Sequence, residues 1–202
     1  MKEIAVCSPE TYMSAEMQEY IANKVADKSQ AWIYKLIRGE SGSEKECVYI
    51  DDPEFLLCRD LHPGSDDRFL VIFKDLSLRT IRDLRQEHIP LLTRVRETVV
   101  GFLGETQDEA RVGDYRIFFH YTPSVFQLHA HVSVMNSYTQ SFRVHPLSLV
   151  VRNLSKRSTY YRDALILISL CRSMKQLSVY SGLFACGVLV ADGTRSRVAH
   201  GV

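Results

Sequence analysis

The sequence predicts an α+β domain in which a mostly antiparallel sheet of about five strands packs on one long helix, behind a helical N-terminal extension. Three observations carry that reading. Strand-like segments lie on both sides of one long helix-period segment, clean period-two alternation runs through "FQLHAHVSV", and helix start signals open the chain. The chain divides into a helical segment over 1–40, a main domain over 41–182 and a tail over 183–202.

In chain order, "SPET" offers Ser8 as a helix cap with Pro9 in the first turn, and Met17, Tyr20, Ile21 and Val25 follow at helical spacing. A second helix carries "SQAWIYKLIR", with Trp32, Ile33, Leu36 and Ile37 as its apolar face. "GESGSEKE" reads as a loop, and "CVYI" and "FLLCRD" as strands around the turn "DDPE". "LHPGSDD" is a further turn before the strand "FLVIFKD". The long helix lies in "TIRDLRQEHIPLLTRVRETVVGFLGE", where Leu92, Val95, Val99 and Phe102 form one stripe, Pro90 fits the first turn and Gly104 the end. Strands "YRIFFHY" and "FQLHAHVSV" follow, then a helix near "PLSLVVRNL", a strand "ALILISL" and a helix "CRSMKQLSVY".

Composition narrows the function. Hydrophobic residues make up 46% and charged residues 24%, with a formal net charge of +1, so no global field grips long nucleic acid. The cysteines Cys7, Cys47, Cys58, Cys171 and Cys186 are odd in number and lack metal-like spacing, which predicts reduced thiols in the cytoplasm or nucleus. The start shows no signal-peptide core, and no apolar run is long enough to cross a membrane.

Function concentrates in "HYTPSVFQLHAHVSV", which holds His120, His129 and His131. On the "FQLHAHVSV" strand Phe126, Leu128, Ala130, Val132 and Val134 share one face, and Gln127, His129, His131 and Ser133 the other. The two imidazoles then stand roughly 6–7 Å apart at Cα, within reach of different atoms of one phosphoryl group. A hairpin brings His120 to the same place. A single histidine on such a face is ordinarily just solvated; three converging with a glutamine point to a site. Zinc is a second reading, since three imidazoles can hold it, but no carboxylate lies nearby in sequence to orient them. The leading reading uses no metal and no cofactor.

"HYTPSVFQLHAHVSV" resembles the active-site segment of the scavenger mRNA decapping enzymes, a branch of the histidine triad (HIT) superfamily. "AWIYKLI", "CRDLHP", "LRTIRDLRQEHIPLL" and "FRVHPL" extend the resemblance in order over most of residues 10 to 180. It implies a HIT-like fold for 41–182 and hydrolysis of the 5′–5′ triphosphate bridge of a 7-methylguanosine cap dinucleotide or short capped RNA. By the same resemblance His129 is the nucleophile, His131 the last triad histidine and His120 the extra upstream one. Ser124 and Arg143 match phosphate contacts, Trp32 and Leu61 a sandwich around the methylated guanine, and Asp60 an acceptor for its edge. A loop glutamate shares that role; Glu40, Glu44 and Glu46 compete, with Glu44 preferred.

The departures are Gln127 where the pattern begins with histidine, His62 where the family directs a lysine at phosphate, and Val125 where an aromatic follows Ser124. The chain also starts near the family's connecting helices, without the N-terminal domain that relatives exchange within a dimer. The resemblance implies a homodimer in the cytoplasm, the nucleus or both. Two alternatives stay open: a general histidine triad nucleotide hydrolase or transferase, and a weakly active cap-binding module.

Overall fold

The computed structural model describes residues 3–40, 48–60, 68–106, 115–134, 141–171 and 173–177. Six strands form the main sheet: β2 (Val48–Asp51), β3 (Phe55–Arg59), β4 (Arg68–Phe73), β5 (Tyr115–His120), β6 (His129–Val134) and β7 (Val144–Pro146). Their spatial order is β2-β3-β4-β6-β5-β7, and every pairing is antiparallel. The sequence reading expected about five. The strand it missed, β7, is three residues long and ends in proline, too short to show alternation and suited only to a sheet edge.

The pleat sorts the side chains. Phe55, Leu57, Phe69, Val71, Phe73, Ile117, Phe119, Ala130, Val132 and Val134 turn to one face and pack with the long helix α4 (Ile89–Thr106). Helix α4 presents Leu92, Val95, Val99 and Leu103, all fully buried. Leu103 takes the place expected for Phe102: at about 100° per residue it returns within about 20° of Leu92, whereas Phe102 lies about 80° away. Phe102 instead sits half-buried against Tyr49 and Phe69, with ring centroids 5.0 and 5.3 Å apart. Pro90 occupies the first turn as expected, where its missing N–H costs nothing.

The opposite face is narrower. Leu56, Cys58, Leu70 and Ile72 are covered by Ile33 and Leu36 of α3 (Ala31–Ile37), with Trp32, Ile37 and Val125 packed at the margin. Helices α1 (Pro9–Met13) and α2 (Ala15–Val25) precede α3; Ser8 caps α1 by accepting the Thr11 N–H, and Pro9 opens its first turn.

A second, two-stranded sheet was not expected. β1 (Glu3–Cys7) pairs with β8 (Ile166–Leu170) in register Cys7↔Ile166 to Glu3↔Leu170. The 1–40 segment is therefore not wholly helical. Ala5 and Cys7 face the core while the larger Val6 is 43% exposed, so the apolar pattern of "EIAVC" points away from its buried face. Helix α5 (Leu147–Lys156) lies where predicted, followed by the short α6 (Tyr160–Asp163). Of the expected helix "CRSMKQLSVY", the described residues show only a 3-10 turn at Met174–Gln176. The tail 183–202 lies outside the described residues.

Arg82, in the 3-10 turn Ile81–Asp83, joins the two sheets from inside the core. Its side chain is 1% exposed, an uncommon fate for a guanidinium. Nε donates to Tyr121 Oη (2.6 Å), Nη2 to the Cys7 carbonyl (2.6 Å), and Nη1 to the carbonyls of Tyr161 (2.9 Å) and Ala164 (3.0 Å). The rings of Tyr12 and Tyr121 lie 5.3 and 5.1 Å from its carbon. Hydrogen bonds and ring faces thus replace the water that a buried cation gives up.

Candidate active site

Alternation in β6 sends Ala130, Val132 and Val134 into the α4 core and leaves His129 and His131 on the face shared with Leu70 and Ile72. The registers Leu70↔His131 and Phe118↔His131 place His131 between two strands. Its ring stacks on Phe118 at 5.5 Å and 16°. The ring of His120, at the end of β5, lies 4.5 Å from that of His131, and the ring of His129 lies 5.2 Å from it. The three histidines singled out from sequence therefore form one cluster.

His129 is held by the chain beside it. Its Nδ1 lies 2.7 Å from the Gln127 carbonyl, which can only accept, so Nδ1 carries the proton and Nε2 keeps its lone pair in the neutral ring. The ring is 7% exposed, and this burial pushes its pKa below the usual imidazole value, opposed by the Gln127 hydrogen bond.

Gln127 does not meet the histidines through its side chain. It is 1% exposed, and Nε2 donates to the carbonyls of Phe73 (2.7 Å) and Asp75 (3.0 Å) at the exit of β4. The amide locks the backbone, and the backbone carbonyl orients His129. A neutral amide with two N–H groups fits two facing carbonyls, which an imidazole carrying one N–H cannot satisfy together.

Burial, reinforced by Arg143 and His129, pushes the pKa of His120 down to about 4. His120 is therefore neutral near pH 7. The fixed cation beside it is Arg143, whose Nη2 donates to the Thr122 carbonyl (2.7 Å) and whose own carbonyl accepts from the Tyr121 N–H (2.9 Å). Arg143 Nε is buried and has no hydrogen-bond partner among the described residues.

A carboxylate does stand by the cluster. Asp60 Oδ2 is 4.0 Å from His131 Nδ1, brought there by the fold although the two residues are far apart in sequence. Among the described residues no group of three or more His, Cys, Asp or Glu is arranged to hold a metal ion.

The expected base-binding residues are only partly in view. Trp32 is half-buried on α3 and packs in the same cluster as Val125, which adjoins Ser124. Ser124 is exposed, in the loop between β5 and β6. Leu61, His62, Glu44 and Glu46 lie outside the described residues. Glu40 is exposed and paired with Arg38. Sequence reading missed Gln30, whose Nε2 donates to the Ser124 carbonyl at 3.0 Å, as well as Arg82 and Tyr121. No local signal marks them, because each acts on residues remote in the chain.

A family model described as "Scavenger mRNA decapping enzyme C-term binding" matches residues 31–145. Among curated proteins, the chain is 29% identical over 150 residues to the m7GpppX diphosphatase of Mus musculus, covering 69% of this chain and 44% of that protein. It is 26% identical over 140 residues to the m7GpppX diphosphatase of Schizosaccharomyces pombe, covering 65% and 44%. The aprataxin of Ciona intestinalis is 24% identical over 136 residues, covering 67% and 35%. The chain thus spans less than half the length of these relatives. Among solved structures, the aprataxin ortholog Hnt3 in complex with DNA has a TM-score of 0.48 at 16% identity, over 79% of this chain and 94% of that one. A histidine triad protein from Clostridium difficile has a TM-score of 0.45 at 16% identity, over 57% and 97%.

Proposed function

Because the chain belongs to the scavenger mRNA decapping enzyme family, whose model matches residues 31–145, we propose that it hydrolyses the 5′–5′ triphosphate bridge of a 7-methylguanosine cap dinucleotide or short capped RNA. The observation that carries this reading is the 2.7 Å contact from His129 Nδ1 to the Gln127 carbonyl, which leaves Nε2 as the nucleophile. Relatives at 26–29% identity are named m7GpppX diphosphatase, which supports a nucleotide hydrolase and is the ground for the substrate proposed.

In this reading Nε2 of His129 bonds to the phosphorus next to 7-methylguanosine. The bond from that phosphorus to the bridging oxygen breaks, and its electron pair leaves with the nucleoside diphosphate. Water then attacks the phosphorus, the N–P bond breaks, and 7-methyl-GMP departs while the water proton passes to a neighbouring base. A depressed pKa keeps His129 neutral, as a nucleophile must be. Arg143 offers a planar fork of donors to the charge that develops on phosphate, while His120 and His131 hold non-bridging oxygens or assist the leaving one.

Trp32 stacks on the cationic methylated base, a contact worth roughly 1–2 kcal/mol when desolvated. Leu61 completes the sandwich, Asp60 and Glu44 accept from the base edge, and His62 and Ser124 meet the phosphates. The enzyme acts as a homodimer in the cytoplasm, the nucleus or both.

The test is incubation with methylated and unmethylated cap dinucleotide followed by chromatography. Methyl-dependent release of 7-methyl-GMP, absent in His129→Asn, is the expected result. Equal turnover of both dinucleotides would make the chain a general nucleotide hydrolase, and binding without product a cap-binding module; either result overturns the proposal.

A further inference from the structure

Gln30 closes the 3-10 turn Lys28–Gln30 and begins helix α3, yet its side chain does not cap that helix. It is 6% exposed and reaches across to the loop between β5 and β6, where Nε2 donates to the Ser124 carbonyl at 3.0 Å. Its other amide atom, Oε1, is buried with no hydrogen-bond partner among the described residues. A buried acceptor left without a donor weakens a fold, so a well-packed apolar side chain would serve stability better here. What the amide provides is a tie between two elements. One carries Trp32, two positions along the chain; the other carries Ser124 and Val125, and Val125 shares a cluster with Trp32.

We propose that Gln30 is a positioning residue coupling the aromatic platform of Trp32 to the Ser124 loop, so that a base stacked on one and a phosphate held by the other bind cooperatively. The proposal rests on the cap-hydrolase reading for the identity of the ligand. Its physical basis is that the Gln30–Ser124 bond fixes the distance between the two contact points before the ligand arrives. A nucleoside phosphate bridging them then avoids part of the ordering that a loose loop would require. Without the bond each half still binds, but binding at one no longer prepares the other.

Trp32 is the only tryptophan in the chain, so intrinsic fluorescence reports on its own ligand. The experiment titrates 7-methylguanosine and 7-methyl-GMP into the wild-type protein, Gln30→Met and Gln30→Glu. Methionine fills the same space without either polar atom; glutamate keeps an acceptor and loses the donor. In the wild type the nucleotide is expected to bind more tightly than the nucleoside. In Gln30→Met that ratio should fall roughly three- to tenfold, as loss of one neutral hydrogen bond implies, with the nucleoside Kd within about twofold of wild type. In Gln30→Glu it should fall further, because the added carboxylate also repels phosphate. Gln30→Met should melt at or above the wild-type temperature.

An unchanged ratio in both variants overturns the coupling and leaves the cap reading standing. A shifted Trp32 emission with nucleoside and nucleotide weakened equally reduces Gln30 to packing support and also overturns it. No saturable response to either ligand in the wild type overturns the cap reading and the coupling together.

Discussion

Gln127 and His129, two residues apart, divide one task between side chain and main chain: the Gln127 amide grips the carbonyls of Phe73 and Asp75, and the Gln127 carbonyl grips His129 Nδ1. The ring proposed to bond phosphorus is oriented by a backbone atom whose own position depends on a buried, uncharged side chain. Gln127→Leu strands two carbonyls and is expected to lower stability by about 1–3 kcal/mol, with a fall in kcat exceeding any change in KM. Gln127→His, which restores the family pattern, should recover only part of kcat, because one N–H cannot serve two carbonyls at once. Urea denaturation and steady-state kinetics check both.

The acid limb of kcat/KM should fall below the ordinary imidazole range. Burial depresses the pKa of His129, so the neutral nucleophile persists at acidities where a free histidine is protonated. A pH–rate profile on methylated cap dinucleotide measures this; an acid limb centred at or above about 6.5 would remove the burial argument.

Stability should decline on acidification through a definite window. Burial holds His120 and His145 down to about 4 in the folded protein, whereas the unfolded chain takes up these protons near the ordinary value of about 6.5. The unfolded state therefore binds more protons between those limits. Stability is fully present above about 6.5, falls as pH drops toward about 4, and loses nothing further from these groups below that. Thermal melts across this range should show the decline, and His145→Phe should flatten it.

Leu103→Ala should destabilise the protein by about 2–5 kcal/mol, and Phe102→Ala by less despite removing more atoms. Leu103 is fully buried against the sheet, while Phe102 is shared with solvent. Chemical denaturation of the two variants side by side is the measurement.

Arg82→Met should rank among the most damaging single changes, at about 3–5 kcal/mol, because it leaves the carbonyls of Cys7, Tyr161 and Ala164 and the Tyr121 hydroxyl without their donor. A loss under 1 kcal/mol by urea denaturation would show that water replaces the guanidinium at no cost.

What could be read in the sequence was periodic. Alternation in "FQLHAHVSV" gave the orientation of His129 and His131, and the spacing of Leu92, Val95 and Val99 gave the buried face of α4, because side-chain direction follows residue number within a regular element. What could not be read depends on neighbours in space. β1 hides its small residues and exposes Val6, β7 is too short to alternate, and the contacts Arg82–Tyr121, Gln30–Ser124 and Asp60–His131 cross between distant segments. The resemblance to a family suggested candidate residues that local patterns alone do not reveal, but it did not foresee a glutamine that meets His129 through its carbonyl rather than its side chain.

The pairing of Glu3–Cys7 with Ile166–Leu170 sets an order of events during synthesis. At roughly 5–20 residues per second, a ribosome takes about 8–33 s to travel from one strand to the other. Throughout that delay the first strand has no hydrogen-bonding mate, and the Cys7 carbonyl that Arg82 is to claim waits with it. The emerging polypeptide therefore carries an incomplete edge at Glu3–Cys7 until Ile166–Leu170 clears the exit tunnel.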